Sequence, residues 1–184
     1  MKLWLVRHAM PIAAEGLCYG ASDLEANPAA TQQAAAALAT CLPRGLVARC
    51  SPLQRCRQLA VALQQLRPDL AWQDDARLAE FDFGCWEGQR WSAIAQEEYA
   101  RWTADFASYR FGGRENVAEL MARVASALAE ARGSGRDALW VTHGGVSRAL
   151  HLLVAGQGVP RTAADWPREG LGFGEARVFT VTDA

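Results

Sequence analysis

Short unbroken apolar runs alternate along this chain with longer segments of helical character. Leu3-Trp4-Leu5-Val6 suits a buried strand; it ends in Arg7 and His8, and Pro11 stops regular structure soon after. The Ala- and Gln-rich stretch from Pro28 to Leu42 predicts a helix opened by its proline. Leu46 to Cys50 is a second short apolar run. Pro52 can start the next helix, PLQRCRQLAVALQQL, and Pro68 ends it. A weaker extended segment lies near Leu70 to Gln73. From about Glu115 to Ala131, the positions Val117, Leu120, Met121, Val124 and Leu128 recur at helical spacing. The break RGSGRD then leads to the apolar strand ALWVTH, a helix over VSRALHLLVA, and a last strand near Glu175 to Val181.

Alternation of this kind predicts a three-layer α/β/α sandwich around a mainly parallel sheet. No internal repeat, low-complexity tail or linker divides the chain, so residues 1–184 read as a single domain. The segment from Phe81 to Phe111 departs from the pattern. It carries nine of the sixteen aromatic residues, and 81–113 reads as an irregular, aromatic-rich insertion beside the sheet and its pocket. On a helix, Tyr99, Trp102, Phe106 and Tyr109 would share one face, whose first use is packing on the domain. Trp86 and Trp91 flank the EGQR turn instead. There an indole could stack on a flat ring of a ligand, a contact worth about 1–3 kcal/mol, which makes Trp86 a candidate substrate contact.

Composition narrows the function. Hydrophobic residues at 51% and charged residues at 21% exclude a disordered or fibrous chain. A net charge of -1 argues against nucleic acid as a partner, so any use of positive charge must be local. The apolar run ahead of Arg7 is too short for a signal peptide, and no stretch approaches the roughly eighteen apolar residues of a membrane span. These features predict a cytoplasmic protein with no membrane partner. Five cysteines, an odd number without a C-x-x-C pair, predict reduced and mostly buried thiols.

Ligands of open α/β sheets bind beyond the carboxyl ends of the strands. Arg7 and His8 end the first strand. Ser51 and, one turn into a helix, Arg55 follow the second. His143 ends ALWVTH, with Gly144 and Gly145 at the start of the next helix, where backbone N–H groups can approach an anion. Two guanidiniums can grip phosphoryl oxygens, one imidazole can attack phosphorus, and a second can stabilise developing charge. The acid for the leaving oxygen is then the missing part. Glu80, set between apolar neighbours, is the candidate, with Asp82 and Glu87 as competing carboxylates. His151, among leucines, reads as packing; Arg57 and Arg148 read as surface or rim, with Arg148 within reach of the pocket. The three histidines show no metal-ligand spacing, and arginines beside them would repel a cation, so neither metal nor other cofactor is expected. Neither a P-loop nor a dinucleotide glycine motif occurs between a strand and a helix.

Together these residues resemble the histidine phosphatase superfamily, with its phosphoglycerate mutase-like fold, over nearly the whole chain. LVRHA resembles that family's R-H-G motif, SPLQRCRQLA its S-x-x-x-R-A segment, LAEFDFGCWEG its L-x-E-x-x-F-G-x-W-E-G segment, and WVTHGGV its second histidine motif. The resemblance implies that His8 is the phosphorylated nucleophile, that Arg7, Arg55 and His143 hold the phosphoryl group, and that Glu80 donates the proton. Ala9 stands where the family usually has Gly, Ala14 where it often has Asn, and the usual PLT-x-x-G is absent around Asp23 to Thr31. Within the superfamily the short chain looks most like the alpha-ribazole phosphate phosphatases of cobalamin synthesis. The implied activity is a metal-independent phosphomonoesterase acting on a small-molecule phosphate ester. Protein phosphohistidine phosphatases and broad-specificity phosphatases share the same motifs. A reading of another class is a phosphate-binding module without catalysis, which would keep the arginines but has no need of Glu80 or a second histidine.

Overall fold

A computed structural model of the chain describes residues 1–182. Five strands and five α-helices follow in the order β1 (Lys2–Arg7), α1 (Pro28–Cys41), β2 (Val47–Cys50), α2 (Gln54–Leu66), β3 (Trp72–Asp74), α3 (Gln96–Ala104), α4 (Val117–Gly133), β4 (Ala138–Thr142), α5 (Gly144–Val154) and β5 (Ala176–Thr180). The sheet order is β3-β2-β4-β1-β5; the first four strands run parallel, and β5 pairs antiparallel with β1. Crossover helices explain the parallel pairs, since a parallel neighbour is reached only by returning over the sheet.

Alternation along the strands sorts side chains to the two faces. Leu3, Leu5, Ala138 and Trp140 face α4 and α5. Val6, Ala48, Leu139 and Val141 face α1 and α2. Every residue of β4 is buried, as expected of a central parallel strand covered on both sides. Fully burying one such leucine is worth about 1.5–3 kcal/mol, so these two faces supply most of what holds the layers together. Among the described residues no helix is long and apolar enough to cross a membrane. All five cysteines are free thiols, with Cys18, Cys50 and Cys56 buried and Cys41 and Cys85 exposed.

Element ends differ from the sequence expectation where caps decide them. Asn116 accepts from the Glu119 amide while the Glu119 carboxylate accepts from the Asn116 amide, so α4 begins at Val117 and not at Glu115. Gln54 opens α2, its amide held by Asp23. In 81–113 the chain forms two short 3-10 turns and one helix, α3. That helix ends before Phe106, so the four aromatic positions do not form one helical face. Tyr99 and Trp102 pack on Phe111 instead, Trp102 lying 4.4 Å from it between ring centroids and 5.6 Å from Phe106, while the Tyr109 hydroxyl donates to Glu98. The segment crosses itself at Gly84 and Gly112, both with positive φ, where a Cβ on either would overlap the other strand's backbone.

Candidate active site

The carboxyl ends of β1, β2 and β4 lie side by side and deliver the predicted residues to one edge. His8 sits one residue beyond β1, 2% exposed, its amide bound to the Thr142 carbonyl. Its Nδ1 lies 2.7 Å from the carbonyl oxygen of Ala9. A carbonyl only accepts, so Nδ1 carries the proton and Nε2 keeps its lone pair. Burial lowers the imidazole pKa from its ordinary 6.5 to about 3; the Ala9 bond opposes this, and the charges of Arg55 and Arg7 add to it. His8 is therefore a neutral base at neutral pH.

Arg55 comes from the first turn of α2 and is fully buried. Its Nε donates to His8 Nε2 at 3.3 Å, Nη1 to the Ser22 carbonyl at 2.7 Å and Nη2 to the Gly20 carbonyl at 2.6 Å. None of these partners is charged, so a buried guanidinium stands unneutralised, and that arrangement suits an anionic ligand. Arg7 donates from Nη1 to the Leu171 carbonyl at 2.8 Å, while its Nε is buried without a partner among the described residues. Phe173 lies over the Arg7 guanidinium at 3.8 Å and beside the His8 ring at 5.5 Å. Pairing of β5 against β1 brings it there, because the chain entering β5 must pass the carboxyl end of β1. Sequence reasoning missed Phe173 for that reason.

His143, fully buried, occupies the N-cap position of α5. Its Nε2 is 2.7 Å from the Ser51 hydroxyl and 3.4 Å from Cys56 Sγ, and its ring centroid lies 5.0 Å from that of His8. Burial, followed by Arg55 and His8, holds its pKa well below the ordinary value. Gly144 opens α5 with its Cα facing the Arg7 guanidinium.

Glu80 closes the set. Both its carboxylate oxygens accept from the Gly145 amide, at 3.1 and 3.0 Å, so it caps α5 from another segment. A Cβ on residue 145 would overlap Glu80 Oε1, so a side chain there would push the carboxylate away from the Gly145 amide. The loop carrying Glu80 is fixed from behind by Arg123 of α4. That guanidinium donates to the carbonyls of Arg77 (2.7 Å), Ala79 (2.6 Å) and Glu80 (3.2 Å), and pairs with Glu115, whose carboxylate also accepts the Asp82 amide.

The competing carboxylates are engaged elsewhere. Asp82 caps Gly84 and faces Arg114 at 3.5 Å. Glu87 accepts from the amides of Gly20, Ala21, Ser22 and Phe83 and from the Ser22 hydroxyl. Burial alone would raise its pKa, but these bonds outweigh it and leave the pKa lowered. Glu87 thus shapes the 20–22 loop whose carbonyls hold Arg55.

Trp86 packs 6.0 Å from Phe111 between ring centroids and lines neither of the two cavities that Glu80 borders. Trp91 stacks on the same phenylalanine. His151 is exposed on the outer side of α5 and is not a packing residue. Ala14, at the position that would carry the family's Asn, is exposed, and Ala9 is buried. Arg57 pairs with Asp74 at the surface, as a surface role predicts. Arg148 reaches the site: its Nε donates to the Pro167 carbonyl, and a Cβ on Gly144 would lie 3.5 Å from its Nη1. No cluster of three or more His, Cys, Asp and Glu side chains placed to hold a metal occurs among the described residues.

Residues 3–165 match the family described as the histidine phosphatase superfamily (branch 1). No curated protein matches the sequence. Among solved structures, a mycobacterial glucosyl-3-phosphoglycerate phosphatase is 26% identical, with a TM-score of 0.81 over 96% of this chain and 88% of that one. The same mycobacterial protein in complex with inorganic phosphate is similar at a TM-score of 0.79 and 27% identity, over 96% of this chain and 88% of that one. A protein from Thermus thermophilus is 28% identical, with a TM-score of 0.73 over 97% of this chain and 92% of that one.

Proposed function

Because the chain belongs to the histidine phosphatase superfamily, we propose that it is a phosphomonoesterase working through a phosphohistidine on His8. The observation that carries this reading is the bond from His8 Nδ1 to the Ala9 carbonyl, which leaves Nε2 unprotonated and facing the buried Arg55, with the charge of half-buried Arg7 also acting on the ring.

As the phosphoryl oxygens take over the Arg55 Nε–H, the Nε2 lone pair is released and attacks phosphorus. As the N–P bond forms, the P–O ester bond breaks, and the ester oxygen takes a proton from the Glu80 carboxyl to leave as the alcohol. Water then attacks the phosphoryl group, giving its proton to the Glu80 carboxylate. The N–P bond breaks, its electron pair returns to Nε2, and inorganic phosphate departs. Arg7, Arg55 and His143 stabilise the charge that grows on the phosphoryl oxygens, and the Gly144 amide at the start of α5 points its dipole at the same place. The arginines supply the positive charge that a divalent metal supplies in other phosphoryl-transfer sites, so the reaction runs without one.

The substrate is a small phosphate ester. A nucleotide-like monophosphate is our reading, with alpha-ribazole 5'-phosphate as first candidate on the strength of the sequence resemblance. A panel of alpha-ribazole 5'-phosphate, glucosyl-3-phosphoglycerate, ribose 5-phosphate, 3-phosphoglycerate and a phosphohistidine peptide tests it by kcat/KM. Folded protein that hydrolyses none of these, nor p-nitrophenyl phosphate, overturns the phosphatase reading in favour of a phosphate-binding module.

A further inference from the structure

A cavity of about 340 Å³ opens directly off Glu80 and Gly145. Its walls are Phe83, Trp102, Phe106 and Trp166, with Val117 and Leu120 at the base. Its charged lining residues are Glu80, Arg148 and Arg168. Phe106 bridges the two walls, 5.6 Å from Trp102 and 6.0 Å from Trp166 between centroids. The wall residues come from two segments outside the sheet, 81–113 and the turn through Ala163–Asp165.

We propose that this cavity receives the leaving group of the substrate, and that it selects a flat, apolar ring system joined to the ester oxygen by a short linker. The proposal rests on the phosphatase reading of the site. Glu80 borders this cavity and a second one of about 630 Å³ lined by Asp82, Arg114, Glu115, Glu119 and Arg123; of the two only this one is walled by aromatic rings, so an apolar alcohol whose oxygen Glu80 protonates has this space to enter. The cavity is within the ordinary size range of small-molecule sites. A bare sugar is a poor fit. Its hydroxyls would face ring carbons and lose their hydrogen bonds to water without replacement, whereas a flat apolar ring gains stacking area against Trp166 and Phe106. The indole that serves the substrate is therefore Trp166, from a segment far along the chain, in place of Trp86.

Alkyl phosphates with matched leaving groups test the idea, since a primary alcohol departs in each case. We expect kcat/KM for 2-(2-naphthyl)ethyl phosphate to exceed that for ribose 5-phosphate and methyl phosphate by about tenfold or more, the range that one aromatic stack provides. Trp166→Ala, at a partly exposed position outside the phosphoryl site, should remove most of that advantage through KM while leaving methyl phosphate hydrolysis unchanged. Trp166→Phe should restore much of it. Equal rates for the ring-bearing and bare substrates in an active enzyme overturn the cavity proposal and leave the phosphatase reading standing. So does an equal loss on both in Trp166→Ala. Absence of turnover on every ester, p-nitrophenyl phosphate included, overturns both.

Discussion

Arg55 points its Nε–H at Nε2 of His8 across 3.3 Å, while both of its terminal nitrogens are held by backbone carbonyls of the 20–22 loop. The guanidinium is fixed in plane and direction before any ligand arrives. Arg55→Lys keeps the charge but gives up this planar fork, so kcat should fall about 100-fold or more. His8→Ala should lose nearly all turnover and all incorporation of labelled phosphate. Steady-state rates and acid-quenched labelling measure both; substantial activity in His8→Ala would falsify the phosphohistidine mechanism.

Glu80→Gln removes the proton but keeps acceptors for Gly145. It should slow alkyl phosphates by about 100-fold or more and p-nitrophenyl phosphate far less, because nitrophenolate leaves with little protonation. Asp82→Asn and Glu87→Gln should not show that dependence on the leaving group. Rates across a series of leaving groups settle the matter, and equal slowing of all esters by Glu80→Gln would remove it as the acid.

Arg123→Gln deletes the clamp behind the Glu80 loop. With three carbonyls and a carboxylate losing a charged donor, the fold should lose about 2 kcal/mol. A purely structural role would lower stability alone. A positioning role predicts in addition that folded Arg123→Gln loses about tenfold or more on alkyl phosphates with little change on p-nitrophenyl phosphate, repeating the Glu80 signature in weaker form.

Stability should fall with acid in a particular window. Unfolded His8 takes a proton near 6.5, but folded His8 resists until about 3, so between those values the unfolded state binds more protons. The stability that depends on neutral His8 is complete above the upper value and is lost as pH falls toward the lower one; His143 acts in the same direction. Denaturant midpoints from about pH 7 to pH 4 should decline in the wild type and decline less in His8→Asn. Parallel declines in the two proteins would contradict the assignment.

Chelation should leave the rate alone. If EDTA abolished activity and Mg²⁺ or Zn²⁺ restored it, the arginines would not be the charge that the reaction uses.

The placement of Arg7 and His8 was legible in the sequence because strand, turn and polar tip are consecutive: an apolar run that stops at these two residues presents them at the end of a strand. His143 and Arg55 were legible by the same logic at β4 and α2. Nothing near Trp86 in the chain announces Phe111, against which its indole packs. Nothing in the sequence singles out Arg123 or Glu115 among the polar residues of this stretch. The role of Arg123 depends on how α4 packs against the turn at Ala76–Leu78, a contact between distant segments. Phe173 escaped notice because its place depends on the antiparallel docking of β5.

The side chains of Arg7, His8, Arg55 and His143 stand at the ends of the scaffold's strands and the starts of its helices, whereas the aromatic walls of the cavity belong to segments that leave the sheet. Drift in the second group changes the lining of the cavity without disturbing the cluster at the sheet edge. A graft of residues 81–113 together with 163–168 between relatives would carry that lining along with it.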